Sequence, residues 1–273
     1  MTEAASSAAH GVAEPRAGRL ALFLDFDGTL VDIAARPDAV VLDGETRDAM
    51  ARLQLRLGGA VAIVSGRPVA TLDALLAPYR FDASGLHGAE GRIGERVFTD
   101  PPAPTLFRRF VAELKRHFGS GSGLLVEDKG KAVSLHWREA PERAGDALAA
   151  MNAIVGELGG AYRVQRGKAV AEIVPVGASK GVAISTFLLE PPYRDRHPVF
   201  LGDDLTDEQG FEVVNAAGGI SIHVGVGPTR ARYRVSSPVE VRAQLRRWAD
   251  GAPIVVSNFE TVDGDMPGKT ELP

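Results

Sequence analysis

Leu22-Phe23-Leu24-Asp25-Phe26-Asp27-Gly28-Thr29-Leu30 is an apolar run that ends in two carboxylates and a Gly-Thr pair. Aspartates two residues apart on a strand point to one face, and where that strand gives way to a loop both reach a single ion and a single substrate. The pattern outlines a phosphate-transfer site, in which one carboxylate attacks phosphorus and the other moves protons. A lone D-x-D would also suit an acidic turn, so the rest of the chain has to decide.

Outward from this stretch, Leu20 to Leu24 reads as a strand, residues 45–57 carry Met50, Leu53 and Leu57 at helical spacing, and residues 60–64 form a second apolar strand stopping at Ser65-Gly66-Arg67-Pro68. This is a βαβ unit. Its strands are unbroken apolar runs, as a parallel sheet covered on both faces requires. Residues 198–201, 206–216 and 219–224 repeat the order strand, helix, strand. The two ends of the chain therefore form an α/β body, a doubly wound parallel sheet of Rossmann-like kind, assigned to residues 19–101 and 177–250.

Between them the pattern changes. Residues 106–118 and 142–158 have helical spacing, and each is followed by a hairpin pattern, 124–127 with 132–137 around Lys129-Gly130, then 162–165 with 169–174 around Gly167-Lys168. The order α-β-β-α-β-β predicts a small antiparallel sheet with two helices on one face, an α+β cap inserted over residues 102–176.

Composition narrows the function. The chain has 273 residues, 45% hydrophobic, enough for one large core or two moderate ones. A formal charge of −4 offers no footprint for nucleic acid or an anionic membrane, so the expected partner is a small molecule. The absence of cysteine excludes disulfides, thiolate metal sites and a cysteine nucleophile. Any metal must then be held by oxygen or histidine. No stretch has the apolar length that spans a bilayer, and residues 1–18 lack the apolar core of a secretory signal. They are expected to be a disordered tail, residues 251–273 a loose one, and the location cytoplasmic.

Four pieces lie where a strand ends or a helix begins: Asp25 with Asp27, Ser65, Lys180, and Gly202-Asp203-Asp204-Leu205-Thr206-Asp207-Glu208. In an open parallel sheet, ligands sit beyond the carboxyl ends of the strands, so these pieces converge there. Phosphoryl transfer needs a nucleophile, a proton carrier, a cation and donors for the equatorial oxygens. Asp25 is the expected nucleophile and Asp27 the general acid and then base. Ser65 and Lys180 are expected to hold the phosphoryl oxygens, with backbone N–H groups offered by Gly28 and Thr29. Mg²⁺ is the expected ion, bound by Asp25, the Asp27 carbonyl and Asp203, with Asp204 or Asp207 outside them.

In this order, the four pieces resemble the motifs of the haloacid dehalogenase superfamily. More than a hundred residues separate Ser65 from Lys180, which places the cap where that superfamily carries its type 2 cap, here of the C2B kind. Within the superfamily the chain is similar to the trehalose-6-phosphate phosphatases. That similarity rests on Ser65-Gly66-Arg67, Gly85-Leu86-His87-Gly88-Ala89-Glu90, Val126-Glu127-Asp128-Lys129-Gly130, His136-Trp137-Arg138, Glu172-Ile173-Val174-Pro175, Ser179-Lys180-Gly181 and GDDLTDE. The resemblance implies Mg²⁺-dependent hydrolysis of trehalose 6-phosphate through an aspartyl phosphate, by a monomer or weak dimer linked functionally to a trehalose-6-phosphate synthase. It also implies that Glu127, Lys129 and Glu172 bind sugar hydroxyls from the cap, with Arg67, His87, Arg138 and Lys168 at the substrate. For His87, Arg138 and Lys168 a structural role competes.

Two other readings stand beside this one. A phosphatase of the same fold could act on sucrose 6-phosphate or mannosyl-3-phosphoglycerate, and a catalytically silent sugar-phosphate sensor could use the same scaffold. Phosphate release with and without Mg²⁺ separates the second from the first.

Overall fold

The computed structural model describes residues 19–34, 36–119 and 121–262, so the tail expected over 1–18 lies outside the described residues. In chain order the first part of the body contains β1 (Leu20–Leu24), α1 (Gly44–Arg56), β2 (Val61–Val64), α2 (Val69–Leu76), β3 (Asp82–Gly85), β4 (Glu90–Ile93) and β5 (Arg96–Thr99). The inserted segment follows with α3 (Thr105–His117), β6 (Leu125–Asp128), β7 (Val133–His136), α4 (Ala144–Glu157), β8 (Tyr162–Gly167) and β9 (Val170–Pro175). The chain then returns to the body through α5 (Lys180–Leu188), β10 (His197–Gly202), α6 (Glu208–Ala216), β11 (Ile220–Val224), β12 (Tyr233–Val235), α7 (Pro238–Ala249) and β13 (Glu260–Thr261).

The body is a nine-stranded sheet of order β13-β12-β11-β10-β1-β2-β3-β4-β5, and β1 pairs in parallel with β10 and β2 at its centre. All five residues of β1 are buried because both faces are covered. Leu20, Leu22 and Leu24 pack with Met50 and Leu53 of α1 and with Val241, Leu245 and Trp248 of α7. Ala21 and Phe23 face the other way, onto Ile184 and Phe187 of α5 and Phe211 of α6. Both carboxyl-terminal strand ends and helix amino termini thus meet along one edge. Asp43 caps α1 by accepting from the Thr46 N–H at 2.8 Å, and Ser179 caps α5 by accepting from the Val182 N–H at 3.1 Å.

The inserted segment folds as an antiparallel sheet of order β6-β7-β9-β8. Alternation along its strands divides the two faces. Val133, Leu135, Ala171 and Ile173 pack against Phe107, Phe110 and Leu114 of α3 and Met151 of α4. The residues between them in the strands, such as Ser134 and Glu172, point away from the helices.

Three features depart from the sequence reading. The strands β3, β4 and β5 extend the sheet where no apolar run announces them, because Asp82-Ala83-Ser84-Gly85 and Glu90-Gly91-Arg92 are held by pairing rather than by burial of large side chains. The segment expected to be loose from residue 251 onward packs on the body as far as residue 262: Ile254, Val255 and Phe259 are buried, the Phe259 and Trp248 rings meet edge to face at 5.9 Å, and β13 pairs with β12. Those apolar side chains, diluted among Pro, Gly and acidic residues, outweigh the local composition; residues 263–273 lie outside the described residues. Finally, the helix expected from residue 206 opens as a 3₁₀ turn over Leu205–Asp207, fixed by reciprocal capping between Asp204 and Asp207, before α6 begins at Glu208.

Candidate active site

Asp25 sits at the end of β1, its N–H donating to the Leu201 carbonyl at 2.9 Å, and it is almost wholly buried. One carboxylate oxygen accepts from Lys180 Nζ at 2.7 Å and the other from the Thr29 hydroxyl at 3.2 Å. Lys180 enters from the first turn of α5 and donates equally to Asp207 Oδ1 at 2.7 Å. The other Asp207 oxygen accepts from the N–H groups of Asp203 and Asp204, each at 3.0 Å. Lys180 therefore bridges two carboxylates. Burial alone would lower its pKa, but Asp207 and Asp25 outweigh burial and raise it.

Asp25, Asp203 and Asp207 can bring one oxygen each within 4.8 Å of one another. Burial pushes the Asp25 carboxyl up to about 7 against the pull of Lys180, and pushes Asp203 up to about 7 with Asp25 adding to the effect. The site is short of positive charge. Asp203 Oδ1 is buried with no hydrogen-bond partner, while Oδ2 takes Lys168 Nζ at 2.6 Å. An orphaned buried carboxylate oxygen beside a second carboxylate is a hard-cation donor set, so a divalent ion such as Mg²⁺ fits these residues. Gly28 makes the approach feasible: its φ is +81°, and a Cβ there would lie 2.2 Å from Asp203 Oδ2.

The polar face of the cap sheet closes over this cluster, leaving a cavity of about 160 Å³. Lys129 Nζ donates to both Glu172 oxygens at 3.2 and 3.1 Å and to the Gly66 carbonyl of the body at 3.0 Å. His87 Nε2 lies 3.3 Å from Glu172 Oε2. His87 and its neighbour Leu86 both adopt positive φ, +57° and +50°, a strained backbone that places the imidazole against Gly66, where any Cβ would come within 2.5 Å of Nε2. Burial would raise the Glu172 carboxyl, but Lys129 and His87 together hold it well below the usual carboxylate range. Glu127 Oε2 accepts from His136 Nε2 at 2.9 Å, and burial of its carboxyl is outweighed by His136 and Lys129, leaving it below its ordinary value. Arg138 of the cap reaches the Ala34 carbonyl of the body.

A buried carboxylate–lysine pair under a polar roof does not by itself name a family, and comparison with known proteins does. The family model described as trehalose-phosphatase matches residues 23–239. The chain belongs to the trehalose-phosphatase family. It is accordingly a phosphoric monoester hydrolase acting on a small sugar phosphate. A trehalose-6-phosphate phosphatase of Escherichia coli is 40% identical over 228 residues, 83% of this chain and 85% of that one. A bifunctional trehalose-6-phosphate synthase/phosphatase of Thermoproteus tenax is 32% identical over 241 residues, which cover 85% of this chain and 32% of that one. The C-terminal domain of a Candida albicans trehalose-6-phosphate phosphatase shares the fold with a TM-score of 0.75 at 22% identity, covering 85% of this chain and 92% of that one.

Residues far apart in sequence line one cavity: Asp25, Asp27, Ser65 and Lys180 from the body meet Glu127, Lys129 and Glu172 from the cap. The structure also shows what several of these residues bond to. The Gly28 N–H donates to the Val31 carbonyl at 2.8 Å within its own loop, and its missing side chain makes room for Asp203. Arg67 grips both oxygens of Asp27 at 2.6 and 2.7 Å and donates to the Pro37 carbonyl, which makes it a positioning residue in this state. Asp27 and Asp204 contribute no carboxylate to the acidic cluster; Asp204 instead caps the following turn. Asp207 has every observed bond directed inward, to Lys180 and two N–H groups, so it orients the lysine. Ser65 is buried at the cavity and accepts from the Arg67 N–H at 3.2 Å.

The cavity also contains residues that the motifs do not single out, among them Ser134, Gln165, Ile33 and Pro37. The alternation Val133-Ser134-Leu135-His136 was the available signal, since it puts two polar side chains on the face opposite the cap core.

Proposed function

We propose that the chain hydrolyses trehalose 6-phosphate to trehalose and inorganic phosphate through an aspartyl phosphate on Asp25. One observation carries the reading: the charged row of the cap sheet, with Glu127, Lys129 and Glu172, closes over Asp25 and Lys180 in a single cavity. Carboxylates accept bonds from vicinal hydroxyls and an ammonium donates to them, so a sugar held by the roof presents its phosphate to the floor.

Asp25 attacks phosphorus and the bond to the sugar oxygen breaks, that oxygen taking a proton from Asp27. Asp27 then accepts a proton from the water that attacks the acyl phosphate, which releases phosphate and restores Asp25. Lys180, fixed by Asp207, neutralises charge that builds up between Asp25 and the phosphoryl oxygens, and the Ser65 hydroxyl donates to one of them. Both Asp27 oxygens accept from Arg67, so proton transfer at Asp27 has to break one of these bonds. Mg²⁺ would be held by Asp25 and Asp203 with the Asp27 carbonyl, and when bound it supplies positive charge to the phosphoryl group.

The cavity of about 160 Å³ is smaller than the roughly 300–1,000 Å³ of pockets that enclose drug-sized ligands. Outward movement of the cap would enlarge it for a disaccharide phosphate, and the return would exclude water during transfer. The bifunctional relative supports a functional link to a synthase that supplies the substrate. The test is phosphate release from trehalose 6-phosphate, sucrose 6-phosphate, glucose 6-phosphate and mannosyl-3-phosphoglycerate, each with Mg²⁺ and with chelator. Mg²⁺-dependent preference for the first is expected; preference for another sugar phosphate would overturn the substrate, and no release from any would overturn the catalysis.

A further inference from the structure

Four side chains of the cap sheet stand in one transverse row. Glu127 of β6 is opposite Ser134 of β7, Ser134 is opposite Glu172 of β9, and Glu172 is opposite Gln165 of β8. Residues directly opposite in antiparallel pairs share a face, so the row crosses all four strands on the side away from the cap core. All four line the cavity.

Two members of the row are left with unused bonding capacity. Ser134 is fully buried and its Oγ has no partner. Gln165 Nε2 is buried and unpartnered as well, although Gln165 Oε1 accepts from Arg163 at 2.6 Å. That bond fixes which way the amide lies, because a guanidinium has only donors and must meet the oxygen. Arg163 is itself anchored on the Ala178 carbonyl at 2.8 Å. The Gln165 NH₂ is thereby held free. Leaving a buried polar atom unpaired costs about 1–3 kcal/mol, a cost that a ligand hydroxyl removes. Across the row the groups run acceptor, donor-acceptor, acceptor, donor, which suits a polyol whose every hydroxyl both gives and takes a hydrogen bond.

We propose that Ser134 and Gln165 are specificity-determining residues that bond the uncharged hydroxyls of the sugar while the phosphate lies on Asp25 and Lys180. The assignment deepens the proposed reaction and rests on it. Ser134 contributes a hydroxyl and Gln165 two N–H donors, and neither touches the phosphoryl group.

Three variants test it: Ser134→Ala, Gln165→Leu and Gln165→Glu. The last keeps an oxygen for Arg163 and replaces the donor by a second carboxylate oxygen with its charge. Each is expected to lower kcat/KM for trehalose 6-phosphate about tenfold, the equivalent of one hydrogen bond, while the inhibition constant of inorganic phosphate changes less than twofold. Ser134→Ala should melt no lower than the parent, since it deletes an unpaired group. Equal weakening of both ligands would show a structural role and overturn the proposal, as would unchanged use of trehalose 6-phosphate by all three variants, the result expected if ordered water alone meets these atoms. Absence of trehalose 6-phosphate turnover by the unmodified protein would instead remove the reaction on which the proposal rests, so the two failures are distinguishable.

Discussion

Replacing Asp207 by Asn should damage the protein far more than the loss of one charge suggests. Oδ1 of Asp207 accepts from Lys180, and Oδ2 accepts from two backbone N–H groups, with the side chain wholly buried. An amide has one oxygen and one NH₂ group, so neither orientation serves. If the oxygen faces Lys180, the NH₂ confronts two N–H donors; if it faces those donors, the NH₂ confronts an ammonium. Breaking a buried ion pair costs about 3–5 kcal/mol, and the unmatched donors place Asp207→Asn at or above the lower bound. At about 2–4 °C per kcal/mol for a protein of this size, the melting temperature should fall by about 6–12 °C. Lys180 would lose half of its anchoring and leave its place beside Asp25, so kcat should drop by about 100-fold or more, as for the loss of one preorganised electrostatic donor. Thermal unfolding by circular dichroism and phosphate release at saturating Mg²⁺ measure the two effects. A fall of less than about 2 °C with activity within a few-fold of the parent would refute the reasoning, because the bridge would then carry neither stability nor orientation.

Gly28→Ala puts a methyl group where the Asp203 carboxylate lies and adds strain at a φ of +81°, so it should abolish Mg²⁺ binding and turnover; titration of the metal by calorimetry checks this. Without metal, Asp203 is raised to about 7 by burial, so between the unfolded value near 4 and that value the folded state holds a proton that the unfolded state releases. Its contribution to stability is therefore present at low pH and lost as pH rises through about 7, and Mg²⁺ must displace the proton. Calorimetry in buffers of different ionisation enthalpy should show proton release on Mg²⁺ binding near pH 6 that fades above about pH 8. Phe259→Ala should cost about 3 kcal/mol in denaturant titration, since the ring packs on Trp248 from the segment whose composition reads as loose.

The parts of the fold written as long-range apolar patterns were legible. β1 could be read to the residue because both of its faces are buried, and the cap appeared as α-β-β-α-β-β because two glycine-containing turns mark its hairpins. The β3–β5 extension was not, since Asp82-Ala83-Ser84-Gly85 owes its strand to its neighbour's edge rather than to its own side chains. The same distinction holds within the site. Asp25, Lys180 and Asp203 could be found from the chemistry they serve. The roles of Arg67 as the clamp on Asp27, of Gly28 as the gap that admits Asp203, and of Asp207 as the anchor of Lys180 depend on distances between segments far apart in sequence, and no local pattern encodes them. Ser134 and Gln165 escaped notice because a serine and a glutamine in hairpin strands are unremarkable until register sets them beside Glu172.

The central claim is that Asp25 is the nucleophile, and the most direct measurement is mass spectrometry of peptides from the protein quenched in acid during turnover of trehalose 6-phosphate. The account predicts one added phosphoryl group on the peptide carrying Asp25, and its loss together with all phosphate release in Asp25→Asn, whose folded state persists. Phosphate release by Asp25→Asn at a rate near that of the parent, or a phosphoryl group found on another residue, would contradict it.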